Sequence, residues 1–327
     1  MSFPDLFRRA ALLWWRVRGL WPLGMLATVV GAGDYATSSF NVNTRFPAGE
    51  GGMPRELVAW FDSPFVRAVL ANPLPFVLGA VVVTVLWALL TTLVGQLAHG
   101  AMIRMADVAD QGYAARLGDA FSVGFARLLP MFLLALIIST PALFLIVAAA
   151  VGVALIVPQL RALDGPSPET VLPIVAALFL CLVPLVLLML VLGLALSFFG
   201  RMAQRACVIE GLGPLASLGR AWRLVTRNFG QTLLVWLALL LTGSIFGAIS
   251  TLPALAIAVP AFVSFYRSGA IPWVALIVLA IYSLVITVLL GGWLTSFSST
   301  LWTLHYRSCV SREAQGAATP QRAASAP

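Results

Sequence analysis

Most of this chain is hydrocarbon-length apolar sequence. Runs at about 73–98, 129–157, 172–200, 231–260 and 272–303, with a shorter one at about 20–33, are separated by brief polar stretches. A helix needs roughly 20 apolar residues to cross the hydrocarbon of a bilayer, and each of the five longer runs reaches that length. A soluble fold would have no interior for them. The chain is 61% hydrophobic and 10% charged, where soluble domains hold about 45–50% apolar and about 25% charged residues. In lipid every backbone polar group must be satisfied within the segment. The sequence therefore reads as an all-α, polytopic membrane helix bundle of about six transmembrane helices. Gly19 and Pro22 bend the short first run, which either crosses or re-enters, and Pro141, Pro184 and Pro253 should kink the runs they interrupt.

Six crossings put both termini on one side, and the arginines say which. Fifteen of the twenty basic residues, all arginine, fall on the side of the termini; only Arg45, Arg55, Arg67, Arg161 and Arg267 fall on the other. The positive-inside rule makes the arginine-rich side cytoplasmic. The expected location is the inner (cytoplasmic) membrane of a bacterial cell. The net charge of +8 is thus a topology signal, and no aromatic-basic platform points to nucleic acid. Three cysteines, Cys181, Cys207 and Cys309, do not form a disulfide framework. The N-terminal segment reads as an amphipathic helix rather than a cleaved signal.

The stretch "EGLGPLASLGRAWRLVTRNFGQTLLVW" at Glu210–Trp236 sets the architecture. Pro214 suits a first helical turn. From there Leu215, Leu218, Trp222, Val225 and Phe229 share one stripe at about 100° per residue, with Arg220, Arg223 and Arg227 on the opposite side. Such a helix lies in the membrane interface. Each exposed arginine near an anionic leaflet contributes about 1 kcal/mol, whereas one at mid-bilayer costs about 2.5–3.5 kcal/mol. The device recurs: "LGRAWRLVTRNF" at Leu218 matches "LGDAFSVGFARL" at Leu117, and Phe3, Leu6, Ala10, Leu13 and Val17 form a weaker third copy flanked by Arg9 and Arg16. Arg205-Ala206-Cys207-Val208 matches Arg307-Ser308-Cys309-Val310, with Arg104-Met105-Ala106-Asp107 in the corresponding earlier place. The expected organisation is one integral membrane domain over 1–310, with repeats at 1–100, 101–205 and 206–310. Each repeat is a cytoplasmic interfacial amphipathic helix followed by a hairpin of two spans. An external loop at 34–72 carries short helices anchored by Trp60, Phe61 and Phe65. Residues 311–327 form a disordered cytoplasmic tail.

The segments "QLAHGAMIRMADVADQG", "AQRACVIEGLGPLASLGRAWRLVTRNFGQTLLVW" and "FSSTLWTLHYR" resemble a group of uncharacterised bacterial six-span membrane proteins. That group is similar to the membrane domain fused to some glycerophosphodiester phosphodiesterases and, more loosely, to the YciC-like family. The resemblance implies an all-helical membrane fold over about 95–310 and no settled activity. The soluble catalytic barrel of the fused enzymes is missing, so phosphodiesterase activity does not carry over.

Chemistry-bearing motifs are sparse. His99 and His305 have no metal-ligand spacing around them, and no nucleophile elbow, phosphate loop or HExxH occurs. The span centres lack Asp, Glu, Lys and Arg, which argues against a proton-coupled pump. No catalytic, cofactor or metal residue is assigned, and no cofactor is expected. The expectation is a non-enzymatic scaffold or accessory protein that engages anionic lipid headgroups, or a partner membrane protein or second copy. It would do so through Arg220, Arg223, Arg227, Arg205, Glu210, Arg9 and Arg16. The alternative is a transporter or channel for a small amphiphilic or lipid-like molecule, using hydroxyls such as Thr91, Ser139 and Thr242. An enzyme acting on headgroups would have only Glu210, His99 and His305 to work with.

Overall fold

The computed structural model describes residues 3–30, 63–64, 73–161, 168–268 and 272–324. Nearly all of the 34–72 loop, including Trp60, Phe61 and Phe65, lies outside the described residues. The described residues form helices α1 (Phe3–Arg16), α2 (Leu20–Val29), α3 (Pro73–Asp110), α4 (Leu117–Ala126), α5 (Leu128–Arg161) and α6 (Pro168–Ile209). They continue with α7 (Pro214–Arg227), α8 (Phe229–Ser268), α9 (Trp273–Ile286), a π-helical turn (Thr287–Gly291) and α10 (Gly292–Ala324). No strand occurs among them.

Among the described residues four helices are long and apolar enough to cross a membrane: Leu78–Asp110, Val183–Ile209, Phe229–Arg267 and Trp273–Gln315. A sharply bent pair, Leu117–Ala126 with Leu128–Pro141, makes a fifth if it is one span. That is fewer than the six expected. The shortfall at the start has a simple cause: the first apolar run forms only the 10-residue α2, about 15 Å at 1.5 Å per residue against about 30 Å of hydrocarbon. Its Leu20, Leu23, Gly24, Ala27 and Thr28 are buried in protein instead.

The chain forms two compact units, Met1–Leu128 with Leu233–His305 and Leu129–Thr232 with Tyr306–Pro327. In the first unit, α3 changes character along its length. Val81, Val82, Val83, Leu86, Trp87 and Leu90 are exposed, while Ala98, Ala101, Met102, Ile103, Met105 and Ala106 are fully buried. An exposed apolar band of this length belongs against acyl chains, and the chain is a membrane protein on that ground. Small residues let the buried half pack closely. A Cβ on Gly124 would lie 3.0 Å from the Leu97 carbonyl oxygen, and one on Gly24 only 2.1 Å from the Gly292 carbonyl oxygen, so α2 and α10 touch backbone to backbone. Trp14, Trp21, Trp293 and Phe297 gather beside this contact: Trp14 stands 4.6 Å from Trp293, and its Nε1 donates to Ser296 Oγ at 2.9 Å. Tyr282 ties α9 to α8 by donating to the Ser250 carbonyl at 3.0 Å.

From Leu294 to Tyr306 every residue of α10 is buried, including seven polar ones: Thr295, Ser296, Ser298, Ser299, Thr300, Thr303 and His305. Three of these hydroxyls tolerate burial by bonding back to their own helix: Ser296 to the Trp293 carbonyl, Thr300 to Ser296 and Thr303 to Ser299, at 2.8–2.9 Å. The hydroxyls considered for a transport path do the same. Thr91 and Thr92 bond to Ala88, Thr140 and Ser139 to Leu136, and Thr242 to Ala238.

The second unit repeats the graded burial. Leu180, Val186, Leu187 and Val191 of α6 are exposed, whereas Met202, Ala203, Ala206 and Cys207 are buried. Both α3 and α6 end in a glycine of positive φ, Gly112 at 85° and Gly211 at 73°, which turns the chain toward the next short helix. α10 runs on through 311–324, where the sequence suggested a disordered tail. Arg312 donates to the Gln231 side-chain oxygen and Glu313 is ion-paired, so part of that segment is tied down by contacts that composition does not reveal.

Candidate functional site

α7 begins where the sequence places it, with Pro214 in its first turn after an extended Gly213. It has three faces rather than two. Ser217, Ala221, Leu224 and Val225 are buried against protein. Leu215 and Trp222, 73% and 59% exposed, form an uncovered apolar face, with Phe199 stacked on Trp222 at 4.8 Å. Arg220, Arg223 and Arg227 form the third. The expected stripe is thus divided: Val225 packs inward, and Leu215 and Trp222 face out.

Arg220 is not open to headgroups. Its Nε donates to both Glu210 carboxylate oxygens at 3.1–3.2 Å, and its Nη1 to Glu313 Oε2 at 2.5 Å. Glu313 also accepts from Arg227 Nη1 at 3.1 Å, and Tyr306 donates its hydroxyl to Glu210 Oε1 at 2.5 Å. The Arg220 side chain is only 16% exposed. Burial alone would lower its pKa, but hydrogen bonding and attraction from Glu313 and Glu210 outweigh that, and the net direction is upward. The group therefore stays charged, and the network fastens the end of α6, α7 and the extension of α10 together. Arg223 lies exposed on α7. Arg205 is 3% exposed and donates to the Arg201 carbonyl at 2.7 Å; it is part of the interior and cannot reach headgroups.

In the first unit, α1 matches α7 at several positions. Both helices have 14 residues. Arg9 and Arg220 are each seventh, a fully buried alanine (Ala10, Ala221) is eighth, and Arg16 and Arg227 are each last. Leu6 and Ser217 are buried at the fourth place. Arg9 Nη2 pairs with Asp110 Oδ1 at 2.7 Å. Asp110 stands six residues beyond Arg104, as Glu313 stands six beyond Arg307. Here the last arginine is left over: Arg16 and Arg8 have no ion-pair or hydrogen-bond partner among the described residues. They line an open groove of about 440 Å³ together with Arg9, Asp5, Asp110 and an apolar strip of Leu12, Leu13 and Val17.

Of the seven residues singled out in the sequence, the structure thus joins Glu210, Arg220 and Arg227 in one network. It sets Arg9 and Arg16 on one groove, leaves Arg223 exposed and buries Arg205. Glu313, Tyr306 and Asp110 were missed. The spacing from Arg104 and Arg307 to the acid six residues on is the signal that would have found two of them. His305 is buried beside Trp302 at 6.0 Å. Among the described residues no group of three or more His, Cys, Asp or Glu could hold a metal ion.

A search of curated proteins and a search of solved structures each find no match to this chain. A family model does match, over residues 58–308, and its description names no activity. Since the matched region takes in α3 through most of α10, including the whole of α7, the chain belongs to the family described as "Domain of unknown function (DUF7847)".

Proposed function

We propose that the protein is a non-enzymatic scaffold or accessory protein of the inner membrane, with both termini cytoplasmic, that gathers anionic phospholipids around its short arginine-bearing helices. The observation that carries this reading is the three-faced α7. A helix packed into the protein on one side, apolar and uncovered on a second, and guanidinium-bearing on a third fits a membrane interface and little else. Arg223 supplies an exposed cation there, and Arg227 is 65% exposed even while paired. The internal repetition of the interfacial helix belongs to the same proposal. Transport along hydroxyl-lined spans gains no support, because those hydroxyls bond back to their own helices.

The test is lipid selectivity. With spin-labelled phosphatidylglycerol and phosphatidylcholine around the reconstituted protein, the wild type should prefer the anionic lipid. Arg223→Gln should reduce that preference by up to about fivefold, since one basic residue near the surface is worth about 1 kcal/mol. Raising the salt should weaken it too. A wild type with no preference between the two lipids would overturn the reading.

A further inference from the structure

We infer that the groove between α1 and the end of α3 is a discrete binding site for one anionic phospholipid, its phosphate held by Arg16 and Arg8 in the place that the Glu313 carboxylate takes against α7. The inference rests on the lipid-gathering reading and sharpens it from a diffuse attraction to a single stoichiometric site.

The argument is one of internal equivalence. On α7 a carboxylate bridges the seventh and last residues of the helix, reaching Arg220 at 2.5 Å and Arg227 at 3.1 Å. On α1 the same two positions are Arg9 and Arg16. The acid that meets them, Asp110, is one methylene shorter. It holds Arg9 at 2.7 Å, and Arg16 remains without an ion-pair or hydrogen-bond partner among the described residues. Arg8, where α7 has Gly219, adds to the same groove a second cation without an ion-pair partner among the described residues. Three arginines face two carboxylates, Asp5 and Asp110, so the groove carries an excess of one positive charge. One monoanionic phosphodiester would neutralise it, and guanidinium groups match phosphate oxygens bidentately.

A lipid is the source rather than a free phosphate because half of the lining is apolar. Leu12, which is 50% exposed, shares the groove with Leu13 and Val17, and an inorganic ion would leave that strip in water. The neighbouring Trp15, 56% exposed and 5.6 Å from Trp21, belongs to an aromatic cluster of the kind that marks a headgroup level. The volume of about 440 Å³ lies within the range of about 300–1,000 Å³ usual for ligand pockets.

The experiment is native mass spectrometry of the delipidated full-length protein titrated with phosphatidylglycerol, phosphatidylethanolamine or inorganic phosphate. The wild type should take up one phosphatidylglycerol with an affinity at least tenfold above its binding of phosphatidylethanolamine, and millimolar inorganic phosphate should not displace it. The pair Arg8→Gln with Arg16→Gln should lose that tenfold preference, Arg8→Lys with Arg16→Lys should recover part of it, and Arg223→Gln should keep all of it. Three results would each overturn the inference: equal binding by the glutamine pair, equal binding of phosphatidylethanolamine, or full displacement by phosphate. A wild type that retains the single lipid yet shows no spin-label selectivity would sink the scaffold reading and leave this site standing, so the two fail separately.

Discussion

α1 and α7 have the same length and share a few key positions in two settings. Each carries arginines at its seventh and last positions and a buried alanine at its eighth. What differs is the acid brought to them. α7 meets two glutamates, one of which spans both arginines, and a tyrosine hydroxyl that fixes the other. α1 meets one aspartate that reaches a single arginine. The third short helix, α4, completes the comparison. Asp119 occupies the place of Arg220 in the shared Leu-Gly-x-Ala-aromatic motif, so α4 offers no cation there. The α7 arginines at these places are thereby paired within the protein, whereas Arg16 has no ion-pair or hydrogen-bond partner among the described residues.

The largest expected effect tests the packing inside each unit. In the first unit Gly24 faces backbone: an added Cβ would lie 2.1 Å from the Gly292 carbonyl oxygen. In the second, Gly200 faces the end of the Ile138 side chain at 3.2 Å, which can rotate away. Gly24→Ala should therefore cost more than about 4 kcal/mol or prevent folding, and Gly200→Ala less than about 1 kcal/mol. Thermal unfolding in detergent checks both. Equal shifts would mean that the close approach of α2 and α10 is not rigid.

Next comes the charge network. Removing Arg220 leaves Glu210 and Glu313 facing each other without their shared cation, at a site where the arginine side chain is 16% exposed. Arg220→Gln should cost about 1–3 kcal/mol. Arg9 has one partner and is 46% exposed, so Arg9→Gln should cost about 0–1 kcal/mol. The sign of the pH dependence follows from the raised pKa of Arg220. Its contribution is complete below the ordinary arginine pKa and is lost only as pH climbs through the raised one. The gap in melting temperature between wild type and Arg220→Gln should thus be the same at about pH 7 and about pH 9, far below arginine titration. A gap that narrows by the higher pH would show another group in control.

Much of this was legible in the sequence because lipid imposes length and periodicity. The long apolar runs, the arginines of α7 and the matching motif at Leu117 can be read from residue spacing alone. The motif alanine is now explained, since Ala120 and Ala221 are buried at 2% and 0%; nothing in the structure requires its glycine, because Gly118 and Gly219 both face open space. Three things were not legible. α2 buries one face in protein, although its composition reads as a span. α10 carries seven buried polar side chains among its buried residues, and spacing reads most of them only as part of a span, with no sign that Ser296, Thr300 and Thr303 bond back to their own helix inside protein. Arg220 meets Glu313 across 93 residues, a pairing that local spacing cannot show and that turned an expected headgroup ligand into a fastening within the protein.

The smallest effect on stability is the sharpest test of the comparison. Glu313→Asp would shorten the acid on α7 to the length of Asp110. Arg220, held by Glu210 as well, should stay in place, whereas Arg227, reached only at 3.1 Å by the outer oxygen, should be released. Because Arg227 is 65% exposed, the loss of its ion pair should hardly move the melting temperature, a surface pair being worth about 0–1 kcal/mol. The consequence should appear in lipid instead. The released arginine would do on α7 what Arg16 does on α1, and the variant should take up a second phosphatidylglycerol in the titration that gives one for the wild type. Combining Glu313→Asp with Arg227→Gln should restore the count to one. If the single variant still binds one lipid while its stability is unchanged, the reach of the acid is not what separates the open helix from the closed one. The difference would then have to lie in Arg8 and the apolar strip, which α7 does not share.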